Sequence, residues 1–238
     1  MQMPQKFTLS VLFPCYNDKG TIASMVLEAK KVAEKLTDDF EIIVVDDYSS
    51  DGSQELLLEL KNSVPELKLV FHHRKQGYGS ALKSGFTAAQ KDIICYTDGD
   101  AQYDIRELPK LLEQLRDGID IVSGYKVRSN DPYHRIIISS IYQYLIRLIF
   151  RLSVKDPDCD FRLIRRSVLE KIDLESDSGV ISIELLKKIQ NAGFVFAEVG
   201  VSHSFRMFGK SQALNIKRIM VVIGRLMKLR TKTVHYSK

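Results

Sequence analysis

The chain has 238 residues, 45% hydrophobic and 27% charged, which suits one large α/β domain or two small ones with a proper core. Its three cysteines (Cys15, Cys95, Cys159) are scattered with no CxxC pair, so neither a disulfide framework nor a zinc site is indicated. Net charge is +5 and the excess lies in the tail: Val199 to Lys238 holds no acidic residue, an asymmetry that points to a phosphorylated ligand or an anionic membrane face.

Nucleic acid is not expected as a partner, because helix-turn-helix, RNP and zinc-finger signatures are all missing. Reduced thiols, and a start without a basic segment and an apolar run, lead us to expect a cytoplasmic protein with no secretory leader.

Phe7 to Phe13 reads as a first strand, ending at Pro14-Cys15-Tyr16-Asn17-Asp18. A helix follows from about Thr21 to Leu36. Glu41 to Val45 is a second buried strand and stops at Asp46-Asp47-Tyr48-Ser49-Ser50-Asp51-Gly52-Ser53. The next helix runs to about Asn62, and Leu67 to Phe71 is the third strand. Gln76-Gly77-Tyr78-Gly79-Ser80 opens a helix through Ala89, and Ile93 to Thr97 is the fourth strand. This alternation predicts an α/β fold, a largely parallel sheet with helices on both faces. Right-handed crossovers gather the strands' carboxyl ends on one edge, where ligands bind. Neither standard phosphate loop is present: no G-x-G-x-x-G follows the first strand, and no G-x-x-x-x-G-K-[ST] occurs.

Asp98-Gly99-Asp100-Ala101-Gln102 follows the fourth strand and puts two carboxylates on a turn that Gly99 lets bend. Such a pair can hold Mg²⁺ or Mn²⁺, hard cations that take oxygen ligands. A solvated Asp-Gly turn is the plainer alternative.

Four motifs in order carry a resemblance. Pro14-Cys15-Tyr16-Asn17, Asp46-Asp47-Tyr48-Ser49-Ser50-Asp51-Gly52, Gly77-x-Gly79-x-Ala81-x-x-x-Gly85-Phe86 and Asp98-Gly99-Asp100-Ala101-Gln102 resemble the signatures of family 2 glycosyltransferases. Within that family the chain most resembles dolichol-phosphate mannose synthases and bacterial polyprenyl-phosphate relatives, over roughly residues 7–212. The resemblance implies a GT-A nucleotide-sugar domain over residues 1–212, leaving 213–238 as a basic amphipathic helix and tail. It implies that Pro14, Tyr16, Asn17, Asp18, Asp47 and Gly77 line the donor pocket, where Asp accepts from ribose hydroxyls or a base N–H. The family commonly has Glu where this chain has Asp18, which shortens the reach. Asp98, Asp100 and Gln102 are the implied cation ligands beside the donor diphosphate. Asp46 either binds too or caps the turn behind it.

Asp120 to Lys126 reads as a fifth strand with a basic end. Lys126 and Arg135 fall where the family places cations against phosphates. Ile136 to Val154 is apolar apart from Arg147, Arg151 and a few hydroxyl or amide groups, so an amphipathic surface helix competes with a core helix. In Asp156-Pro157-Asp158-Cys159-Asp160-Phe161-Arg162, the resemblance puts Asp158 and Asp160 on the acceptor side, although relatives often carry Ser-Gly where this chain has Cys159-Asp160. These carboxylates either activate an acceptor hydroxyl or, for a phosphate acceptor, orient it. Glu184 is a weaker acceptor-side candidate, and His203 is a metal ligand or a structural residue. Arg206 and Lys210 are expected to close over the diphosphate, with Gly209 as hinge. Beyond them Ile216, Ile219, Met220, Ile223, Leu226 and Met227 share one face at ~100° per residue.

The implied activity is metal-dependent, inverting transfer of a mannose- or glucose-type hexose from a nucleoside-diphosphate sugar to a dolichyl or undecaprenyl phosphate. Base and sugar stay open among GDP-mannose, UDP-glucose and UDP-N-acetylhexosamines. The expected partners are this donor, polyprenyl phosphate, an anionic membrane surface and a membrane protein, with the enzyme peripheral on the cytoplasmic face. The alternatives are a transferase acting on a glycan hydroxyl and a non-catalytic nucleotide-sugar-binding or scaffold protein.

Overall fold

The computed structural model describes residues 7–129 and 133–204. The first half alternates strand and helix: β1 (Leu9–Cys15), α1 (Ile22–Ala33), β2 (Phe40–Asp46), α2 (Ser53–Lys61), β3 (Leu67–Phe71), α3 (Tyr78–Ala88) and β4 (Ile93–Tyr96). All residues of β1 and β4 are buried, as expected of strands covered on both faces. A 3-10 turn (Ile105–Glu107) leads into α4 (Leu108–Gln114), then β5 (Ile121–Ser129) and α5 (Tyr133–Phe150). The described chain closes with β6 (Arg162–Arg165), α6 (Arg166–Leu169), α7 (Ile181–Asn191) and β7 (Phe196–His203).

The seven strands form one sheet in the order β3-β2-β1-β4-β6-β5-β7. β6 alone runs antiparallel to its neighbours β4 and β5, while β5 and β7 pair parallel. Reversal of β6 brings the loop before it, residues 156–161, to the edge where β4 and β5 end. That edge therefore collects the carboxyl ends of six strands and the amino end of the seventh.

Apolar side chains alternate along each strand into two cores. Leu9, Val11 and Phe13 face α1, and Leu12, Tyr96 and Ile164 face α3, α5 and α7. α3 sits close on β1 because Gly85 has no side chain: a Cβ there would lie 2.3 Å from Leu12 Cδ1.

α4 and β7 are absent from the sequence reading. α4 is a short helix with Pro109 in its first turn, and β7 is an edge strand of half-buried residues without a continuous apolar run. The helix expected over 136–154 runs instead from Tyr133 to Phe150, and Arg151 turns away at φ +51°. It is both a core helix and a surface helix, with Ile146 and Phe150 buried and Ile141 and Leu148 exposed. Among the described residues no helix is long and apolar enough to cross a membrane. The tail expected over 213–238 lies outside the described residues, as do Arg206, Gly209 and Lys210.

Candidate active site

The first two loops of the edge are stitched together by Asn17, which adopts φ +56°. Its N–H donates to Ser49 Oγ (2.8 Å), and its Oδ1 accepts from the Ser50 N–H (2.8 Å). Asp18 is 9% exposed and accepts from the Tyr16 N–H, while its carbonyl receives the Thr21 and Ile22 N–H groups at the start of α1. Tyr16 is half-buried, and Lys75 Nζ lies 3.5 Å from its ring centroid, a cation–π contact. Pro14 is buried, and its carbonyl packs 3.1 Å from where a Gly99 Cβ would be.

Asp46 is fully buried and closes the turn after β2, accepting from the Ser49 N–H (3.0 Å) and Gln54 Nε2 (2.5 Å). Asp47 is occupied in a different way. One oxygen accepts from the Gln76 N–H (2.7 Å) and lies 2.8 Å from His72 Nδ1; the other accepts from the Gly77 N–H (2.8 Å). At 3% exposure, Asp47 holds the loop before α3 in shape from beneath.

Gly77 and Gly79 seat a second loop. A Cβ on Gly77 would lie 2.2 Å from the Asp177 carbonyl oxygen, and one on Gly79 would lie 2.3 Å from that of Ser176. Only glycine permits this approach. Residues 175–178 thus strap across the start of α3, where Ser80 Oγ (2.9 Å) and Lys83 Nζ (2.5 Å) both donate to Asp177 Oδ1. Glu184 anchors the strap from α7: it is 1% exposed, accepts from the Glu175 and Ser176 N–H groups at 2.9 Å each, and pairs with Lys188 at 2.8 Å. Its role is structural, because both of its oxygens are spent on the protein.

The strap fixes Tyr78, whose hydroxyl donates to Asp98 Oδ1 at 2.8 Å. The Asp98–Gln102 turn is clamped by Thr21 Oγ1, which donates to the Gly99 carbonyl (2.7 Å), and by Gln102, whose Nε2 donates to the Ser204 carbonyl (3.2 Å). Asp100 is 7% exposed and accepts from the Gln102 N–H. His203 packs edge-on against Tyr103 with ring centroids 5.0 Å apart. The pKa of Asp98 is pushed well above the carboxylate range, first by removal from water and then by Asp160, Asp100 and Asp18. The Tyr78 hydrogen bond acts the other way.

Facing this turn is the loop before β6. Asp156 ties it to β5 and α5, accepting from the Lys126 N–H (3.3 Å) and Gln143 Nε2 (2.9 Å). Asp160 accepts from Ser182 Oγ (2.7 Å) and pairs with Arg162 (3.3 Å). Arg162 is fully buried and also donates to the Tyr96 hydroxyl and the Pro157 carbonyl. Burial raises the Asp158 pKa; Lys126 opposes the shift, and Asp160 and Asp156 add to it. Although burial alone would lower it, the pKa of Lys126 is raised because Asp156 and Asp158 keep it charged.

The structure therefore brings Asp18, Asp98, Asp100 and Asp160 close together at the strand ends, with Asp158 and Lys126 beside Asp160, and gives Asn17, Asp47 and Gly77 contacts within the loops around them. Arg135 lies in the first turn of α5, and its side chain is outside the described residues. Tyr78 and Arg162 escaped the sequence reading. The signal for Arg162 was a charge inside the apolar run Phe161-Arg162-Leu163-Ile164, which needs buried partners. For Tyr78 no signal was available.

Among the described residues, no group of three or more His, Cys, Asp or Glu side chains converges on a metal position. The donor set still fits a hard dication, because Asp98 is crowded by like charges that a cation would offset. Such an ion can take its remaining ligands from phosphate and water.

Residues 10–173 match the family described as Glycosyl transferase family 2. The chain is 31% identical over 202 residues to "Glycosyltransferase AglD" of Haloferax volcanii, covering 81% of this chain and 32% of that protein. It is 28% identical over 233 residues to "Undecaprenyl-phosphate 4-deoxy-4-formamido-L-arabinose transferase" of Photorhabdus laumondii, covering 97% of this chain and 70% of that one. Against the Yersinia enterocolitica protein of the same name it is 30% identical, covering 89% and 64%. It thus spans about a third of AglD and about two thirds of the other two. The fold matches glucosyl-3-phosphoglycerate synthase from Mycobacterium tuberculosis, solved with Mn²⁺, UDP and phosphoglyceric acid, at a TM-score of 0.74 and 19% identity. That match covers 95% of this chain and 78% of the other. With a seven-stranded GT-A sheet, its cleft at the strand ends and a family match that runs from β1 past β6, this chain belongs to glycosyl transferase family 2.

Proposed function

We propose that the protein moves a mannose- or glucose-type hexose from a nucleoside-diphosphate donor to a polyprenyl phosphate at a membrane surface, with inversion. The carrying observation is that Asp98 and Asp100 of the Asp98–Gln102 turn lie close to Asp160 of the loop before β6, and that the same loop holds Lys126 charged. The relatives named for undecaprenyl phosphate support the acceptor class.

An oxygen of the lipid phosphate attacks the anomeric carbon as the bond to the donor's diphosphate breaks, so the diphosphate leaves with both electrons. The nucleophile is already an anion, and no base is needed. Negative charge accumulates on the leaving diphosphate. Asp98 and Asp100, with Gln102 beside them, would hold a divalent cation. Mg²⁺ or Mn²⁺ bound there would neutralise that charge. Lys126 supplies positive charge from the acceptor side, and Arg135, Arg206 and Lys210 complete the phosphate contacts in this reading. Tyr16, Asp18 and the Asn17 and Asp47 loops frame the base and ribose.

One observation favours a second reading, transfer to a sugar hydroxyl. The raised pKa of Asp158 moves that carboxyl toward the range useful to a general base. A single experiment separates the two: radiolabelled nucleotide sugar is incubated with polyprenyl phosphate or with soluble sugars, with and without cation. Label that extracts into organic solvent only when cation is present supports the proposal. Label that stays on soluble sugar overturns it.

A further inference from the structure

We propose that the outward face of α5 is the surface by which this protein lies on an anionic lipid bilayer, and that it brings the acceptor side of the cleft down to that bilayer. Of the ten large hydrophobic side chains exposed among the described residues, five belong to this one helix: Ile137, Ile141, Tyr144, Leu145 and Leu148. Their exposures run from 46% to 64%. The other five are scattered singly over the fold, as is ordinary on a protein surface. The spacing of the α5 residues places them within an arc of about 100° on the helix. The opposite arc holds Ile146 and Phe150, which are buried in the core beneath β4 and β6. The helix is thus apolar on two faces, and the sheet covers only one.

Charge indicates what covers the other. Arg147 is exposed at one side of the stripe and Arg151 is exposed just past the end of the helix, and the chain from Tyr133 to Lys155 contains no Asp or Glu. An apolar stripe edged by arginine suits the boundary between anionic headgroups and acyl chains, where Tyr144 also fits. The segment 205–238 has an apolar face of its own but, being basic and free of acidic residues, offers no counter-charge to these arginines. A second copy of the helix would set arginine against arginine.

The helix also reaches the cleft. Gln143 donates to Asp156 Oδ1 at 2.9 Å, so α5 holds the loop that carries Asp158 and Asp160. Tyr142, beside Gln143 on the helix, is near enough to Asp158 and Asp160 that their charges add to burial in raising the pKa of its hydroxyl. A lipid-borne acceptor would therefore meet the cleft where the helix meets the bilayer. This last step rests on the proposed function; the docking surface does not.

The test uses the full chain. All three native cysteines are buried, so Ile141→Cys offers a single accessible thiol for an environment-sensitive fluorophore, with Leu58→Cys on α2, across the sheet, as control. Phosphatidylcholine vesicles containing phosphatidylglycerol should shift the label at 141 to the blue and expose it to lipid-borne quenchers, leaving the label at 58 unmoved. A label at 141 that ignores vesicles, or that is already shielded without them by the tail, a second copy or another protein, overturns the proposal. Ile141→Glu with Leu148→Glu should lower vesicle co-flotation and transfer to long-chain polyprenyl phosphate in vesicles by about tenfold. Transfer to a short-chain, water-soluble prenyl phosphate should be unchanged. Equal loss with both acceptors overturns the proposal. A label that inserts in a protein that glycosylates no prenyl phosphate sinks the proposed function and leaves the docking surface standing.

Discussion

Glu41 and Asp98 sit at opposite ends of the same sheet under opposite conditions. At the amino end, Glu41 is 3% exposed, accepts from Ser10 Oγ (2.6 Å) and the Gln90 N–H (2.7 Å), and pairs with Lys68 (2.5 Å). Burial alone would raise its pKa, yet these partners overcome burial and the pKa falls. At the carboxyl end, Asp98 has Tyr78 as donor but faces three carboxylates, and its pKa climbs. The first arrangement is complete within the protein and serves stability. The second leaves a buried carboxyl among like charges, the arrangement on which the proposed cation site rests.

The largest effect should come from Asp98→Asn. Transfer should fall by about a thousandfold, ~4 kcal/mol in the barrier, as expected when a main electrostatic element of a site is lost. In cation-free buffer at neutral pH the same variant should melt at or above the temperature of the parent, because it removes a crowded charge. A clear drop in melting temperature would mean that Asp98 belongs with Glu41. Arg162→Met sharpens the contrast from the other side. Arg162 is the fully buried cation of the crowded end, and its loss leaves Asp160 without its ion pair and the Pro157 carbonyl without this donor. A loss of about 3 kcal/mol in denaturant unfolding is expected, and Arg162→Lys should recover little, since one ammonium cannot reach Tyr96, Pro157 and Asp160 together.

The crowded end was legible in the sequence and the satisfied loops around it were not. Buried parallel strands are apolar runs, so β1 to β4 and the polar clusters that end them could be placed in order, and Asp98–Gln102 stood out among them. β7 was lost because an edge strand of half-buried residues has no such run, and the reversal of β6 leaves no local trace. The contacts of Asp47 and Gly77 within the protein could not be foreseen, because their partners are distant along the chain. Asp47 answers to residues 72–77, and Gly77 makes room for residue 177. Glu184 looked like an acceptor-side candidate for the same reason, its partners being the backbone of residues 175 and 176. Hydrogen bonds between loops decide whether a polar residue faces the ligand or the protein, and they are set by tertiary packing.

Acid should separate the two ends next. The folded-state pKa of Glu41 lies below its unfolded value, so its contribution is fully present above about pH 4.3 and is lost as pH falls through the folded value. Glu41→Gln should cost about 1–2 kcal/mol at neutral pH and flatten the acid limb of a melting-temperature profile. For cation-free Asp98 the sign reverses. Its folded pKa is raised, so the stability associated with it is present below about pH 3.9 and declines as pH rises toward the folded value. Asp98→Asn should flatten that decline without touching the acid limb.

The smallest effect concerns Tyr78, the hydroxyl that donates to Asp98. Tyr78 reaches Asp98 because Asp47 shapes the loop before α3 and the 175–178 strap presses on Gly77 and Gly79. Its hydroxyl favours the ionised carboxylate, the form that would hold a cation. Tyr78→Phe keeps the ring and deletes that hydrogen bond, worth about 1 kcal/mol, so Mn²⁺ should bind about fivefold more weakly. Electron paramagnetic resonance of free Mn²⁺ measures this without turnover. In transfer assays the half-saturating cation concentration should rise by the same factor while the rate at saturating cation stays near that of the parent. If Tyr78 merely packed the loop, the variant would bind Mn²⁺ as the parent does, and Asp98 would owe its position to the strap and the Gly99 clamp alone.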